Sequence, residues 1–546
     1  MKRNDFSNVG ENINMEVVFS KPLAIEKNFY QLLYALTSFY LVFPTLFFAY
    51  GWLIWPFNVI TVSVIVFFII VTIKDIYKIS LFLKKNWVPY NSISKIIGRV
   101  TPAFLVIVTW LAFSGIGGLG FQNGDYDLKN TLLRSLIIQK WPLSMVLEGS
   151  STKVVYPLNY YLPAAIVGKM FGWIEANAFM FVWSLAGIVL AFIWFAVISQ
   201  ISFKQNNTSQ LLHLVLIFCL AGGLDYIGAY IIKDIPFSLT RHIDNWAWHI
   251  QYSSNSTLVY WVPHHAIPAW LLTGMIVASI YKEHDLKYLG IAITASILWS
   301  PFTILGIFPY LMLLIIKYLS PKNRKYIFNS RSFVTNIIAL WTGGIYLLYI
   351  ASNNFSFPVT FIWNDIRNKE LLISTLLQFW LLEFGFIAFL AISYFKFMKH
   401  QGENKKTSTK RQEYKDVSPS LYFGIYAFSI LILILLPFLK MGIYNDIVMR
   451  SSIPALFIFW AFISKILIER KRNTEIKFDV LYSIILVTVF VGFFSSFAEI
   501  ARSVEFYRFG PPNFHDIREI GTENNLETVQ QRAGRDDSFF YRYIGK

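Results

Sequence analysis

The chain has 546 residues, of which 55% are hydrophobic and 18% aromatic, while only 15% are charged. Soluble domains carry roughly 25% charged residues, so this composition excludes an ordinary soluble fold and suits lipid. The formal charge of +16 would suggest nucleic acid in a soluble protein. In a membrane chain it reads as a positive-inside bias, and no nucleic-acid partner is expected.

A spanning helix needs about 20 predominantly apolar residues. In chain order such segments fall at 28–50, 52–73, 101–120, 177–200, 209–223, 263–280, 286–300, 302–318, 333–351, 371–395, 419–439, 452–468 and 479–499. The expected fold class is an all-α polytopic membrane protein with about thirteen transmembrane helices. The N-terminus lacks an apolar stretch followed by a small-residue cleavage site, so the first span is expected to direct insertion. The single cysteine, Cys219, sits in an apolar run, which leaves no intramolecular disulfide and no Cys-based metal site to expect.

Charge orients the chain. With the N-terminus inside, 30 of the 48 Lys and Arg residues fall in the inner loops. The stretches KYLSPKNRK and KHQGENKKTSTKRQEYK contribute most clearly. The C-terminus is then outside. Three units are expected: an N-terminal tail, hairpin and basic inner loop over 1–100, a membrane core over 101–500, and a short outer tail over 501–546 that packs on the loops. The outer loops 121–176 and 224–262 are long and rich in Trp, Tyr, Pro, His and Asp, and long structured loops are commonly functional.

Four outer constellations can carry chemistry. Asn123-Gly124-Asp125-Tyr126-Asp127 opens the first long loop. Its two carboxylates can chelate a divalent cation, or one can serve as general base while the other orients it. The plainer reading is a turn capping a helix that begins near Leu128. In that helix Leu132, Leu133, Leu136 and Ile137 share one face, with Arg134 and Lys140 elsewhere, as in an interfacial amphipathic helix. The apolar 164–172 is too short to span.

Gly222-Gly223-Leu224-Asp225 puts another carboxylate at the same depth. Lys233-Asp234 and Arg241-His242-Ile243-Asp244-Asn245-Trp246-Ala247-Trp248-His249 follow. Carboxylates and His can complete a metal shell, Arg can grip phosphate oxygens, and indoles suit sugar rings or isoprenoid chains. A self-satisfied polar loop is the alternative. His264 and His265 open the next span; adjacent histidines on a helix point in different directions and rarely share one metal. In Tyr444-Asn445-Asp446-Ile447-Val448-Met449-Arg450, Asp446 and Arg450 can pair at i, i+4, or Arg450 can hold an anionic head group. No Walker A motif, no Gly-x-Gly-x-x-Gly opening a helix after a strand, and no inner soluble domain is present, so substrates are expected from the membrane or the outer compartment.

The acidic first loop (Gly124-Asp125-Tyr126-Asp127), the helix after it, and further acids in the second loop (Asp225, Asp234, Asp244) resemble the GT-C superfamily of integral membrane glycosyltransferases. The resemblance is architectural and covers most of 100–500. The hairpin 28–73 departs from the usual pattern, in which the acidic loop follows the first span. The resemblance implies sugar transfer from a polyprenyl-phosphate or polyprenyl-diphosphate carrier to a glycan, lipid or protein acceptor, with inversion at the anomeric centre. It implies Asp125 or Asp127 as the base that deprotonates the acceptor. Arg241, His242 and Arg450 are available to the leaving phosphate, with Arg134, Asp234, Asp244, His264, His265, Asn445 and Asp446 as further substrate contacts. Asp125, Asp127 and Asp225 are compatible with Mg2+ or Mn2+ and equally with a metal-free site. The composition fits a bacterial plasma membrane.

Two other readings compete. A transporter or flippase of lipid-linked sugars needs ionisable residues near mid-membrane, and Glu383 is the best candidate, while Glu499 sits at a helix end. A polysaccharide polymerase or ligase of a different type shares the substrate class and the outer site.

Overall fold

The computed structural model describes residues 13–86, 90–147, 149–201, 207–248, 250–283, 286–354, 358–364, 366, 368–404, 417–442, 444–472, 480–510, 517 and 531–546. His249, the basic stretch 405–416 and most of 511–530 lie outside the described residues.

Apolar runs free of charge have only one way to satisfy their backbone in lipid, namely helical hydrogen bonds. Among the described residues nine helices are long and apolar enough to cross a membrane, which marks a multi-pass membrane protein. The order begins with α1 (Ile13–Trp52) and α2 (Phe57–Asn86), which pack as a hairpin. Next come α3 (Tyr90–Ala112), α4 (Asp125–Ile138), α5 (Leu162–Phe171), α6 (Trp173–Ile198), α7 (Thr208–Leu220), α8 (Asn255–Trp261), α9 (Pro263–Tyr281), α10 (Leu289–Ser296), α11 (Pro301–Leu319) and α12 (Ser330–Ala351). The remainder are α13 (Lys369–Trp380), α14 (Phe386–Asn404), α15 (Pro419–Leu435), α16 (Asp446–Ser451), α17 (Ile453–Arg472), α18 (Val480–Glu505) and α19 (Phe539–Tyr543).

The centre of the bundle is α9, buried at every position from Pro263 to Ile280 and packed against α6, α11 and α17. The outer faces of peripheral helices stay apolar and exposed, as at Ile70, Leu340 and Phe490. Such faces suit hydrocarbon, which has no need of polar partners.

Several elements depart from the apolar runs. The 101–120 segment ends as a helix at Ala112, because Gly115, Gly117, Gly118 and Gly120 take left-handed φ and fold the chain into a tight loop. The 371–395 segment is interrupted by a π-helical turn at Leu381–Gly385. The 286–300 segment is helical only over α10, and Ser300 then caps α11 by accepting from Thr303 N. The 209–223 segment is helical only over α7, at about 20 Å too short to cross the roughly 30 Å hydrocarbon alone. The carbonyls left open at its end are taken from α8: Asn255 Nδ2 donates to Phe218 O, Asn255 N to Ala221 O, and Ser256 Oγ to Cys219 O.

The expected interfacial helix is instead an internal one. Leu132, Leu133 and Leu136 of α4 are buried within the protein, and α4 packs on α5 rather than presenting that face to lipid. A small hairpin, β1 (Ser144–Leu147) with β2 (Ser150–Lys153), follows it. The C-terminal segment 531–546 is stitched across the same end of the molecule: Val155 N donates to Arg532 O, Asn354 N to Ala533 O, and Ile54 N to Ile544 O.

Candidate functional site

Two polar clusters form. The first gathers side chains from five separate stretches. Asp125 is the first residue of α4, with its amide held by Asn123 Oδ1. Its carboxylate is half exposed, with 48% of the side chain open, and stands 3.9 Å from Lys129 Nζ one turn on. Lys129 is 11% exposed and donates to Trp261 O at the end of α8. Burial pushes the Lys129 ammonium down to about 8; Asp125 opposes this, while Arg450 and Arg532 add to it. Those two guanidiniums therefore share the neighbourhood of Lys129.

Each cation is fixed by its own element. Arg450 pairs with Asp446 across one turn of α16 at 3.0 Å and lies over Phe302 at 5.2 Å. That turn is set by Asn445, buried in a left-handed conformation, which donates to Leu439 O and accepts from Met441 N. Arg532 rests over Tyr156 at 4.8 Å. The Tyr156 hydroxyl meets His264 Nε2 at 3.2 Å, and His265 Nδ1 meets Ser300 Oγ at 2.6 Å. The two imidazoles do not diverge as expected: their ring centres are 4.0 Å apart, both buried. Pro263 starts α9 immediately before them, so both sit in its first turn. His264 Nδ1 and His265 Nε2 are buried and have no hydrogen-bond partner among the described residues.

The second cluster is internal. Asp225, just beyond α7, and Asp244 are fully buried, and Glu383 in the π-helical turn is nearly so. Asp225 accepts from Ser495 Oγ at 2.6 Å, Glu383 from Trp246 Nε1 at 2.9 Å, and Asp244 from Ser254 N at 2.8 Å. His242 Nδ1 pairs with Glu499 Oε1 at 2.7 Å, and Glu499 also accepts from Arg502 and from Trp261 Nε1. Burial disfavours charge on His242, but the Glu499 carboxylate outweighs it and raises the imidazole above its ordinary value.

The sequence-derived candidates thus separate. Asp125, His264, His265, Asp446 and Arg450 converge, with Asn445 as the support of Arg450. Asp225, His242 and Asp244 belong to the internal cluster. Asp127 faces outward beside Asp125, and burial raises its carboxyl modestly above the usual range. Asp234 and Arg241 are exposed, and Arg134 is half-buried over the Trp173 ring. Asp125, Asp127 and Asp225 do not gather into one shell: among the described residues no three His, Cys, Asp or Glu side chains converge to hold a metal ion. Lys129, Tyr156 and Arg532 were not singled out in sequence as site residues. Lys129 carried a signal, being one helical turn from Asp125; Arg532, more than 400 residues further on, carried none.

No protein-family profile matches this chain, and neither does any curated protein or solved structure.

Proposed function

We propose that this multi-pass protein is a membrane glycosyltransferase of the GT-C kind, moving a sugar from a polyprenyl-phosphate carrier to an extracytoplasmic glycan, lipid or protein acceptor. The observation that carries the reading is the ion pair of the half-exposed Asp125 with Lys129, a cation whose surroundings also hold Arg450 and Arg532. Three cations from α4, α16 and the C-terminal segment exceed what Asp125 and Asp446 neutralise. That surplus suits a phosphate.

In this reading Asp125 takes the proton of an acceptor hydroxyl, whose oxygen bonds to the anomeric carbon from the face opposite the carrier. The bond to the carrier oxygen breaks, and its electron pair leaves on the phosphate, where the three cations and the tyrosine-backed His264 stabilise it. The 30 of 48 basic residues in the inner loops support an orientation with the N-terminus inside and this cluster outside, on about thirteen spans of a bacterial plasma membrane. The test is binding of a polyprenyl monophosphate to the purified protein in nanodiscs. Arg450→Ala and Arg532→Ala are each expected to weaken it at least tenfold, about 1.4 kcal/mol; unchanged affinity in both removes the site.

A second reading, transport of a lipid-linked sugar, is favoured by the burial of Glu383 against Asp225 inside the helix bundle. It predicts substrate movement across vesicles without chemical change.

A further inference from the structure

The internal carboxyl cluster is not used by the transfer reading, and its hydrogen bonding does not close as drawn. Asp225 and Glu383 are in hydrogen-bonding contact with each other. One oxygen of each is already supplied with a donor, from Ser495 and Trp246 respectively. The other two, Asp225 Oδ1 and Glu383 Oε2, are buried and meet no donor among the described residues. Ionised carboxylates only accept, so two of them cannot hydrogen-bond to one another. A single proton between the pair satisfies both orphaned oxygens at once.

A third side chain makes the same demand independently. Asp244 comes from the 224–262 loop and is fully buried, with Oδ1 meeting no donor among the described residues, and its charge acts on both Asp225 and Glu383. Its other oxygen is held by Ser254 N. Charging all three buried carboxyls together is costly, since each disfavours the charge of its neighbours. The counter-charges do not suffice. His242 faces the cluster from the loop but is engaged with Glu499, and Arg502 is engaged with Glu499 as well. The Tyr252 phenol lies beside Glu383 and donates instead to Leu433 O.

The backbone is shaped to the pair. A Cβ on Gly223 would press on the Glu383 carboxyl and lie 3.0 Å from its Cα, so glycine lets the segment beyond α7 come near the turn without displacing it. Leu224 N donates to Leu382 O at 3.0 Å, which ties that segment to the π-helical turn.

We propose that Asp225 and Glu383 form a proton-binding site, a carboxylic acid–carboxylate pair that fastens the outer 224–262 loop to the break in the 369–396 helix. The ligand is one proton. It bonds to one carboxyl and is shared with the other, and no electron transfer or co-reactant is involved. The proposal is independent of whether the outer cluster transfers sugar.

The test is thermal unfolding of the full chain in nanodiscs from about pH 5 to about pH 8, with sodium or choline chloride as the salt. Burial, reinforced by Asp244, holds the Asp225 carboxyl above its ordinary range. The folded state therefore holds a proton that the unfolded chain has released. The stability this confers is fully present below about pH 4 and is lost as pH rises through the raised range of the pair. Wild-type Tm is expected to fall over that interval by a few degrees. Asp225→Asn and Glu383→Gln each supply a permanent N–H donor to the remaining carboxylate, so both are expected to fold and to lose that slope. The carbonyl stretch of a protonated carboxylic acid, shifted by deuteration, is expected in wild type near pH 6 and absent from both variants.

Equal slopes in wild type and both variants would overturn the site. So would a carbonyl band that survives in both, or a wild-type Tm that depends on sodium against choline, which would make the ligand a metal cation.

Discussion

In the proposed transfer Asp125 is the base and Lys129 a phosphate contact, and each has its own signature. Asp125→Asn keeps the size and the amide bond to Asn123 Oδ1 but cannot take a proton, so sugar transfer is expected to fall by about 10^2 to 10^4. Asp127→Asn, at a side chain facing outward, is expected to leave most of the activity. A transfer assay with a polyprenyl-phosphate sugar checks both, and full turnover in Asp125→Asn would remove it as the base. In the same proposal Lys129 supplies a pH dependence, because a phosphate contact needs its ammonium charged and burial holds that ammonium at about 8. Phosphate affinity is therefore expected to be highest below that pH and to weaken as pH rises through it. Lys129→Arg stays charged at every accessible pH, so its affinity profile is expected to be flat over the same interval.

At the scale of elements, the site depends on short pieces rather than long spans. The six-residue α16 presents Arg450 only because Asn445 turns the chain in a left-handed conformation and bonds Leu439 O and Met441 N. Asn445→Ala removes both bonds and leaves a β-carbon in a region that costs about 1–2 kcal/mol. The variant is expected to lower Tm and to weaken phosphate binding together, although Asn445 is buried and Arg450 is intact. A normal Tm and normal binding would show that α16 is held by its neighbours instead. Trp261 is the other hinge point. Its carbonyl takes Lys129 and its indole donates to Glu499, so one residue touches both polar clusters.

At the scale of the whole molecule, the prediction concerns sidedness. The loop after α4, the 224–262 loop and the C-terminal segment are all required on one side for the outer cluster to meet its substrates. On a Cys219→Ser background, cysteine at Met170 or Leu239, both well exposed, is expected to react with a membrane-impermeant thiol reagent from outside intact cells. Cysteine at Phe328, in the basic segment between α11 and α12, is expected to react only after permeabilisation. An inward-facing Leu239→Cys would separate the two loops and end the reading of a common outer site.

What the sequence determined by itself is the class of the molecule. Apolar runs longer than a soluble helix needs, with almost no charge inside them, leave helical spans as the only satisfied backbone, and the exposed apolar faces of α2, α12 and α18 follow. It also marked Asp125, Arg450 and the two histidines, because polar groups at the end of an apolar run stand out against it. Where helices stop was less legible. The glycines that end α3 at Ala112 act through φ, and the break at Leu381–Gly385 is met by a segment distant in sequence, with Leu224 N donating to Leu382 O. The partners were beyond reach of sequence. Asp225 reads as a carboxylate level with Asp125 until Glu383 and Ser495, both more than 150 residues away, are seen to enclose it. Arg532 reads as a tail charge until Val155 N fixes its carbonyl beside the outer cluster. Periodicity and composition act between near neighbours, whereas a site is made by groups that only the packed chain brings within a few ångströms.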